Sequence, residues 1–347
     1  MRKHGLFLTK GRPIHLGHLF QITVAAMTCE QVTVVVSDNE WLDHYSLPAR
    51  VSDMRASIQW MLQQHNIEHR KVVVTGFVDK SPETAFNGRG VSTSSEFFGY
   101  WYAQLKGYGC DTVFTSDPYG EQLAETLYAK WVQIDPNRTC YPISATMIRE
   151  NMMGHWDMLP PPVKRRFQKV VYLMGGESTG KSTQLLRVRD YFQNQGIHVS
   201  TVGEYGRTVS ESKQNKLNRD DFERILRIHQ QMIIGAKDED NPVVLVDTDW
   251  LTTWVFSLIY GVELPYEFAK QFAVRGDLYL LQSPEGIPFE DDGERVTDTV
   301  KLDTMHRGYI QRMMDEGYEF RVNKAANLPL RTQTNVRMIK SLFDFGD

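Results

Sequence analysis

The sequence predicts two α/β domains in series, each a doubly wound parallel sheet. Three observations carry that expectation. Apolar, partly β-branched runs alternate with helical periodicities, the pattern of parallel strands joined by crossover helices. Near the midpoint a glycine-rich stretch, Gly175-Gly176-Glu177-Ser178-Thr179-Gly180-Lys181-Ser182-Thr183, lies between such a run and such a helix. The chain has 347 residues, long for one core, so a domain on either side of this junction is expected, at 1–160 and 165–347.

Composition narrows the function classes. A net charge of −4, with 41% hydrophobic and 24% charged residues, is ordinary for a soluble globular enzyme. No basic tract suggests nucleic acid as a partner, and no apolar run has membrane-spanning length. The N-terminus turns directly into a strand-like segment without a signal-peptide core. Cys29, Cys110 and Cys140 are widely spaced and odd in number, which speaks against a disulfide framework and a zinc site. A cytoplasmic location is the expectation.

In the first domain, residues 4–9 (HGLFLT) form the first expected strand. Residues 31–37, 71–75 and 111–115 are three more, with helices at 52–64 and 96–105 between them. After the first strand come Lys10, Pro13, His15, Gly17 and His18, then an apolar helix. Two imidazoles three residues apart at a strand-to-helix turn lie on one side of the first helical turn, and Gly17 lets a ligand approach the backbone. The pair suits donation to phosphate oxygens. It could also bind a metal, though no third ligand is in view. Near the domain's end, residues 143–149 (ISATMIR) place the hydroxyls of Ser144 and Thr146 and the cation of Arg149 at a helix start. That is either a second half of a phosphate clamp or a plain capping sequence.

Residues 155–162 (HWDMLPPP) are proline-rich and predict a short, stiff connection. Residues 170–174 (VVYLM) follow as a buried strand feeding the glycine-rich stretch. The pattern G-x-x-x-x-G-K-[ST] between strand and helix is a phosphate-cradling loop. Its N–H groups and the helix N-terminus face anionic oxygens, Lys181 reaches β- and γ-phosphates, and the Ser182 hydroxyl is placed to ligate Mg²⁺. Further strands are expected at 197–202, 242–246, 277–281 and 318–322, making a sheet of about five. The first of them delivers Glu204, Tyr205 and Arg207; the second ends in Asp247 and Asp249. Asp247 fits a second Mg²⁺ contact, direct or through water, with Asp249 an alternative for it or for a substrate hydroxyl; helix capping is the plain alternative for either. By analogy with small-molecule kinases of this architecture, Glu204 would take the acceptor's hydroxyl proton. Arg207 could pair with substrate or with Glu204. Residues 289–307 are charged and glycine-interrupted. They would bring Arg295 and Arg307 over the transferring group as a lid, or form a solvated surface loop.

The first-domain motif K-x-x-P-x-H-x-G-H, followed by ISATMIREN, resembles the nicotinamide-mononucleotide adenylyltransferase branch of the nucleotidylyltransferases, which are Rossmann-like. It departs from that branch in placing Thr9 and Gly11 around Lys10. Taken in order, GGESTGKST, EYGR, DTDWLTT and DDGER resemble the ribosylnicotinamide kinase domain of the NadR family, whose other half is such an adenylyltransferase. With HWDMLP at the junction, the resemblance runs from about residue 4 to the end. Some family members carry an N-terminal helix-turn-helix repressor domain, for which no room is expected here.

The resemblance implies a bifunctional enzyme of NAD salvage using Mg²⁺ with ATP. Its second domain would phosphorylate nicotinamide riboside to nicotinamide mononucleotide, and its first would adenylylate that product to NAD with release of pyrophosphate. Thr9, Lys10, His15, Gly17, His18, Ser144, Thr146 and Arg149 would then hold the triphosphate in the first domain. Trp60 and Trp101 are candidates for an aromatic shelf under nicotinamide, or are ordinary core residues. A homo-oligomer is compatible with this reading. Two rivals remain open: the same folds acting on another nucleoside and nucleotide, and a nucleotide-sensing regulator in which one domain binds without turnover.

Overall fold

The computed structural model describes residues 2–38, 45–68, 71–81, 95–176, 178–285, 308 and 311–344. The chain divides into two compact units, Met1–Arg166 and Phe167–Asp347.

The first unit is built on a parallel sheet of β1 (Arg2–Thr9), β2 (Cys29–Asp38), β3 (Val72–Val78), β4 (Thr112–Thr115) and β5 (Lys130–Gln133). The order is β3-β2-β1-β4-β5. In β2, residues 32–38 are buried without interruption, as a strand covered on both faces requires. Helices α1 (Leu16–Thr28), α2 (Leu47–Gln64), α3 (Ser95–Leu105), α4 (Tyr119–Thr126) and α5 (Ala145–Glu150) connect or follow the strands. The order reverses between β1 and β4, so crossovers leave in opposite directions and a crevice opens beyond their carboxyl ends.

Two features correct the sequence expectation. The sheet has a fifth strand, β5, whose four residues KWVQ lie at the edge and are only partly buried, too short and polar to give an apolar run. The segment 155–162 is not a stiff connection. Met153–Met158 forms a 3-10 turn with Trp156 buried, and α6 (Pro161–Phe167) begins on prolines, where a missing N–H costs a helix nothing. The units divide within α6, between Arg166 and Phe167.

The second unit has β6 (Lys169–Met174), β7 (Ser200–Val202), β8 (Val243–Asp247), β9 (Leu278–Gln282) and β10 (Phe320–Asn323), all parallel, in the order β10-β9-β6-β8-β7. Its helices are α7 (Lys181–Gln193), α8 (Tyr205–Ser212), α9 (Arg219–Lys237), α10 (Trp250–Ile259), α11 (Tyr266–Lys270) and α12 (Leu328–Lys340). Asn218 and Asp221 close a reciprocal capping box on α9, which then buries Phe222, Ile225, Leu226, His229 and Ile233 on one stripe. One face of the sheet carries a stack of Tyr172, Tyr279 and Tyr318, with ring centroids 4.9 and 4.4 Å apart. Each buried hydroxyl has a partner: Tyr172 donates to the Val274 carbonyl, Tyr279 accepts from Gly276 N–H, and Tyr318 accepts from Trp250.

Candidate functional sites

The crevice of the first unit is a cavity of about 720 Å³ beyond the ends of β1 and β4. Thr9, Lys10, His15, Gly17, His18, Ser144 and Thr146, all predicted from sequence, line it together. The two imidazoles stack with centroids 3.7 Å apart. His15 N–H points at His18 Nδ1 (3.4 Å), which leaves the His18 proton on Nε2, 3.3 Å from Thr9 Oγ1. Thr9 Oγ1 also accepts from Gly11 N–H. Burial holds His18 down to about pKa 4, helped by the nearby Arg138 guanidinium. Burial, then His18 and Arg138, holds His15 well below its ordinary value. Both rings are therefore neutral near pH 7. His15 Nδ1 is buried with no hydrogen-bond partner, a polar atom awaiting one. A Cβ at Gly17 would sit 3.0 Å from that same nitrogen, so a side chain there would press on the ring.

The β1 exit is held from behind. Fully buried Arg50 donates to the Lys10 carbonyl at 2.6 Å and pairs with Asp38, which also pairs with Arg12. Arg149 donates to the Arg12 carbonyl (2.7 Å) and to Thr146 Oγ1 (3.1 Å), and it is not among the residues lining the cavity. Ser144 caps α5 through Met147 N–H while lining the cavity, so its two sequence readings are compatible. Trp101 lines the cavity, edge-on to Phe77 and Phe97. Trp60 lies on α2 away from it, a half-buried helix residue.

Sequence reasoning missed Arg138, Asp117 and Tyr141 on the cavity wall. Asp135 gathers the loop that carries Arg138 and Tyr141, accepting from Thr139 N–H and Oγ1, Cys140 N–H and Tyr141 N–H. Burial is the largest single contribution and raises the Asp135 pKa, but the four bonds together outweigh it and lower the pKa. Arg138 faces Asp117 at 3.4 Å. The available signal was a cation in a turn just before ISATMIR, hidden because β5 had not been recognised.

In the second unit, β6 runs into the predicted loop. Gly175 takes φ +142°, and a Cβ there would meet the Gln282 carbonyl at 2.8 Å, so only glycine fits. Thr179 Oγ1 and Lys181 Nζ both donate to the Gly176 carbonyl, at 2.9 Å each. Ser182 Oγ donates to Asp247 Oδ2 at 2.5 Å, while Asp247 Oδ1 is buried without a partner. A hydroxyl beside a carboxylate with one orphaned oxygen fits a hard cation. Thr248, next in the chain, adopts φ +66°, an unusual conformation for a β-branched residue, of the kind found where a site demands it. Among the described residues no group of three or more His, Cys, Asp or Glu is arranged to hold a metal.

Beside Lys181 lies a small pocket of about 90 Å³. Glu204 and Arg207, both predicted, reach it from the β7–α8 turn. Tyr205 packs instead against the core. Asp249 is buried and caps α10 through Thr252 N–H (3.0 Å), the plain alternative offered by its position, and it does not line the pocket. Ser210, Asn215, Phe222, His229 and Tyr260 line it and were not foreseen. A histidine on the apolar stripe of α9 was the one legible hint. Gly180 and Thr183 bracket Lys181 and Ser182 at the start of α7, whereas Glu177, Arg295 and Arg307 lie outside the described residues. None of the described helices is long and apolar enough to cross a membrane.

A family model described as "AAA domain" matches residues 170–331. The trifunctional NAD biosynthesis/regulator protein NadR of Salmonella typhimurium LT2 is 26% identical over 358 residues, covering 97% of this chain and 83% of that protein. NadR of Escherichia coli K12 is 27% identical over 307 residues, covering 84% and 71%. Two solved NadR structures share the fold. One, in complex with NAD and AMP-PNP, has a TM-score of 0.60 at 19% identity, covering 100% of this chain and 97% of that one. The other, in complex with NR, has a TM-score of 0.58 at 21% identity, covering 99% and 96%. The match extends through both units rather than stopping at either, and the chain is accordingly similar to NadR over nearly its whole length.

Proposed function

We propose that the chain is a bifunctional enzyme of NAD biosynthesis, with ribosylnicotinamide kinase activity in the second unit and nicotinamide-mononucleotide adenylyltransferase activity in the first. One observation carries the reading: a chain similar to NadR over nearly its whole length has two separate sites suited to phosphate, the cavity at His15 and His18 and the loop that runs into Lys181.

In the kinase unit, Glu204 takes the proton of the 5′-hydroxyl of nicotinamide riboside as that oxygen attacks the γ-phosphorus of ATP. ADP leaves, and Lys181 balances charge on the phosphate oxygens. Its pocket aromatics, Phe222 and Tyr260, offer apolar surface to the nicotinamide ring. The cation would be Mg²⁺, entering with ATP; Ser182 and Asp247 would hold it, and it would neutralise phosphate charge when bound. In the adenylyltransferase unit, the 5′-phosphate of nicotinamide mononucleotide attacks the α-phosphorus of a second ATP, and pyrophosphate leaves. Neutral His15 and His18 donate N–H to phosphate oxygens, a bond that strengthens as charge develops. Lys10 and Arg138 supply positive charge at the cavity, and Trp101 is one of the aromatics lining it that could stack on nicotinamide. Arg149 acts one step back, fixing the Arg12 carbonyl and Thr146. The location is cytoplasmic, where ATP and pyridine nucleotides are available.

The test is direct. Purified protein is given nicotinamide riboside and Mg·ATP, and products are resolved by chromatography. Successive appearance of nicotinamide mononucleotide and NAD is the expected result. ATP binding with neither product would favour the sensing regulator, and turnover of another nucleoside alone would favour the other-substrate rival.

A further inference from the structure

The second unit buries a guanidinium that the reaction above does not use. Arg331, in the first turn of α12, is fully buried. It donates to four backbone carbonyls: Ala325 from Nε (2.9 Å), Ser283 and Thr179 from Nη1 (2.6 and 3.3 Å), and Glu285 from Nη2 (2.5 Å). Among the described residues it makes no ion pair. Burial accordingly pulls its pKa down, with the Glu285 carboxylate opposing more weakly.

Burying an unpaired cation is costly, and an apolar residue of similar volume often serves stability as well or better. What the guanidinium provides is geometry. Its rigid planar fork of five donors can tie together chain segments that a flexible ammonium cannot. The segments tied here are the phosphate-binding loop at Thr179, the exit of β9 at 283–285, and the exit of β10 at Ala325. These carboxyl ends of neighbouring parallel strands form the rim where a parallel sheet binds nucleotides.

Adjoining bonds continue the connection. Gln184, in the first turn of α7, donates to the Leu328 carbonyl and accepts from Thr332 and Asn335. Asn335 Oδ1 in turn accepts from Gln282 and Asn323 at the ends of β9 and β10. Leu328 packs close to Gly180, 3.2 Å from where a Cβ would stand. A shift of α12 is thereby transmitted to the loop whose N–H groups must face the phosphates.

We infer that Arg331 is a positioning residue of the kinase site, holding the phosphate-binding loop in its nucleotide-ready shape through the Thr179 carbonyl. The inference rests on the nucleotide-binding reading of the second unit and not on the identity of the acceptor.

The test compares Arg331→Lys and Arg331→Met with the unaltered full-length chain. The expected result is a rise of about tenfold in the kinase KM for ATP, the scale of one lost charge-assisted bond. The KM for riboside should stay within about twofold, and NAD formation from supplied nicotinamide mononucleotide should be unchanged. Met should do at least as much harm as Lys. A lowered melting temperature with the KM for ATP unchanged would make Arg331 a purely structural residue, and parallel rises in both KM values would mean general loosening; either overturns the inference. Should neither variant fold, amide hydrogen exchange on the unaltered protein decides. Mg·AMP-PNP should slow exchange around 323–331, and Lys181→Ala should abolish that slowing; no change on adding nucleotide overturns the inference. If the unaltered protein phosphorylates no riboside, the acceptor assignment fails by itself. AMP-PNP affinity, counted as the binding component removed by Lys181→Ala, then reads the effect of Arg331 directly.

Discussion

His18 keeps its single proton on Nε2 because Nδ1 faces the backbone N–H of His15, and burial beside Arg138 opposes a second proton. A neutral donor at the cavity wall stays neutral well below the ordinary histidine range. The acid limb of adenylyl transfer that belongs to this ring should therefore lie near pH 4 rather than 6.5, measured as kcat against pH. A limb near 6.5 that vanishes in His18→Asn would contradict it. The same shift acts on stability. Between 6.5 and about 4 the unfolded chain binds a proton that the folded one refuses, so this contribution is intact above 6.5 and lost as pH falls toward 4. Asp249 behaves oppositely. Its burial pushes the carboxyl up to about 6 from an ordinary 3.8, so the folded state holds the extra proton in that window. Stability from this group is greatest below 3.8 and declines as pH rises through 6. Asn caps a helix as well as Asp does. Asp249→Asn should thus flatten the pH dependence of melting between 4 and 7 and leave the second unit no less stable at pH 8, as followed by thermal unfolding. A loss of stability at pH 8 would mean that the charged form is needed.

At the scale of elements, the proposed kinase chemistry is divided between two strand exits. The turn from β7 into α8 brings Glu204 to the pocket, and the end of β8 brings Asp247 to Ser182. Glu204→Gln should lower kinase turnover by about 10²–10⁴-fold, the contribution of a positioned base, while nucleotide binding stays nearly intact. Asp247→Asn should instead raise the Mg²⁺ needed for half-maximal activity, by roughly 10–100-fold on the scale of perturbed metal sites. Titrating Mg²⁺ in both variants checks the division, and a metal effect at Glu204 with none at Asp247 would exchange the two roles. These exits were legible because a phosphate-binding loop fixes what the neighbouring strand ends must supply. The β6 run, the histidine pair and the cation at Lys181 could be read for the same reason, that a local motif carries its own geometry. Asp249 shows the limit: residues 247 and 249 are both Asp at one strand end, and only the backbone path turns one toward Ser182 and the other into a helix cap. Arg138, Asn215 and Tyr260 were illegible for a related reason. Each comes from a segment remote from the motif, and folding alone brings it to the wall. Arg331 was hidden differently, since its partners are carbonyls and leave no pattern in side chains.

At the scale of the whole molecule, each candidate site is assembled from residues of one unit. Among the described residues, the histidine cavity draws on residues before Arg166, and the phosphate-binding loop with its pocket draws on residues after Phe167. The two reactions should therefore be removable one at a time. Lys181→Ala should abolish mononucleotide formation from nicotinamide riboside while NAD synthesis from supplied mononucleotide persists. His18→Ala should do the reverse, with losses on the order of 10²–10³-fold for a charge-stabilising donor. The histidine substitution should lower kcat more than it weakens ATP binding, because its bond strengthens mainly in the transition state. Chromatographic assay of each variant with each substrate separates the four cases. The mixture of the two variants adds a fifth. Together they should convert riboside to NAD, since each supplies the step the other lacks and the mononucleotide is free to diffuse between molecules. If either substitution removed both reactions in a folded protein, the sites would not be independent. If the mixture stalled at mononucleotide while the histidine site of Lys181→Ala remained active on supplied mononucleotide, the intermediate would be retained by the molecule that makes it.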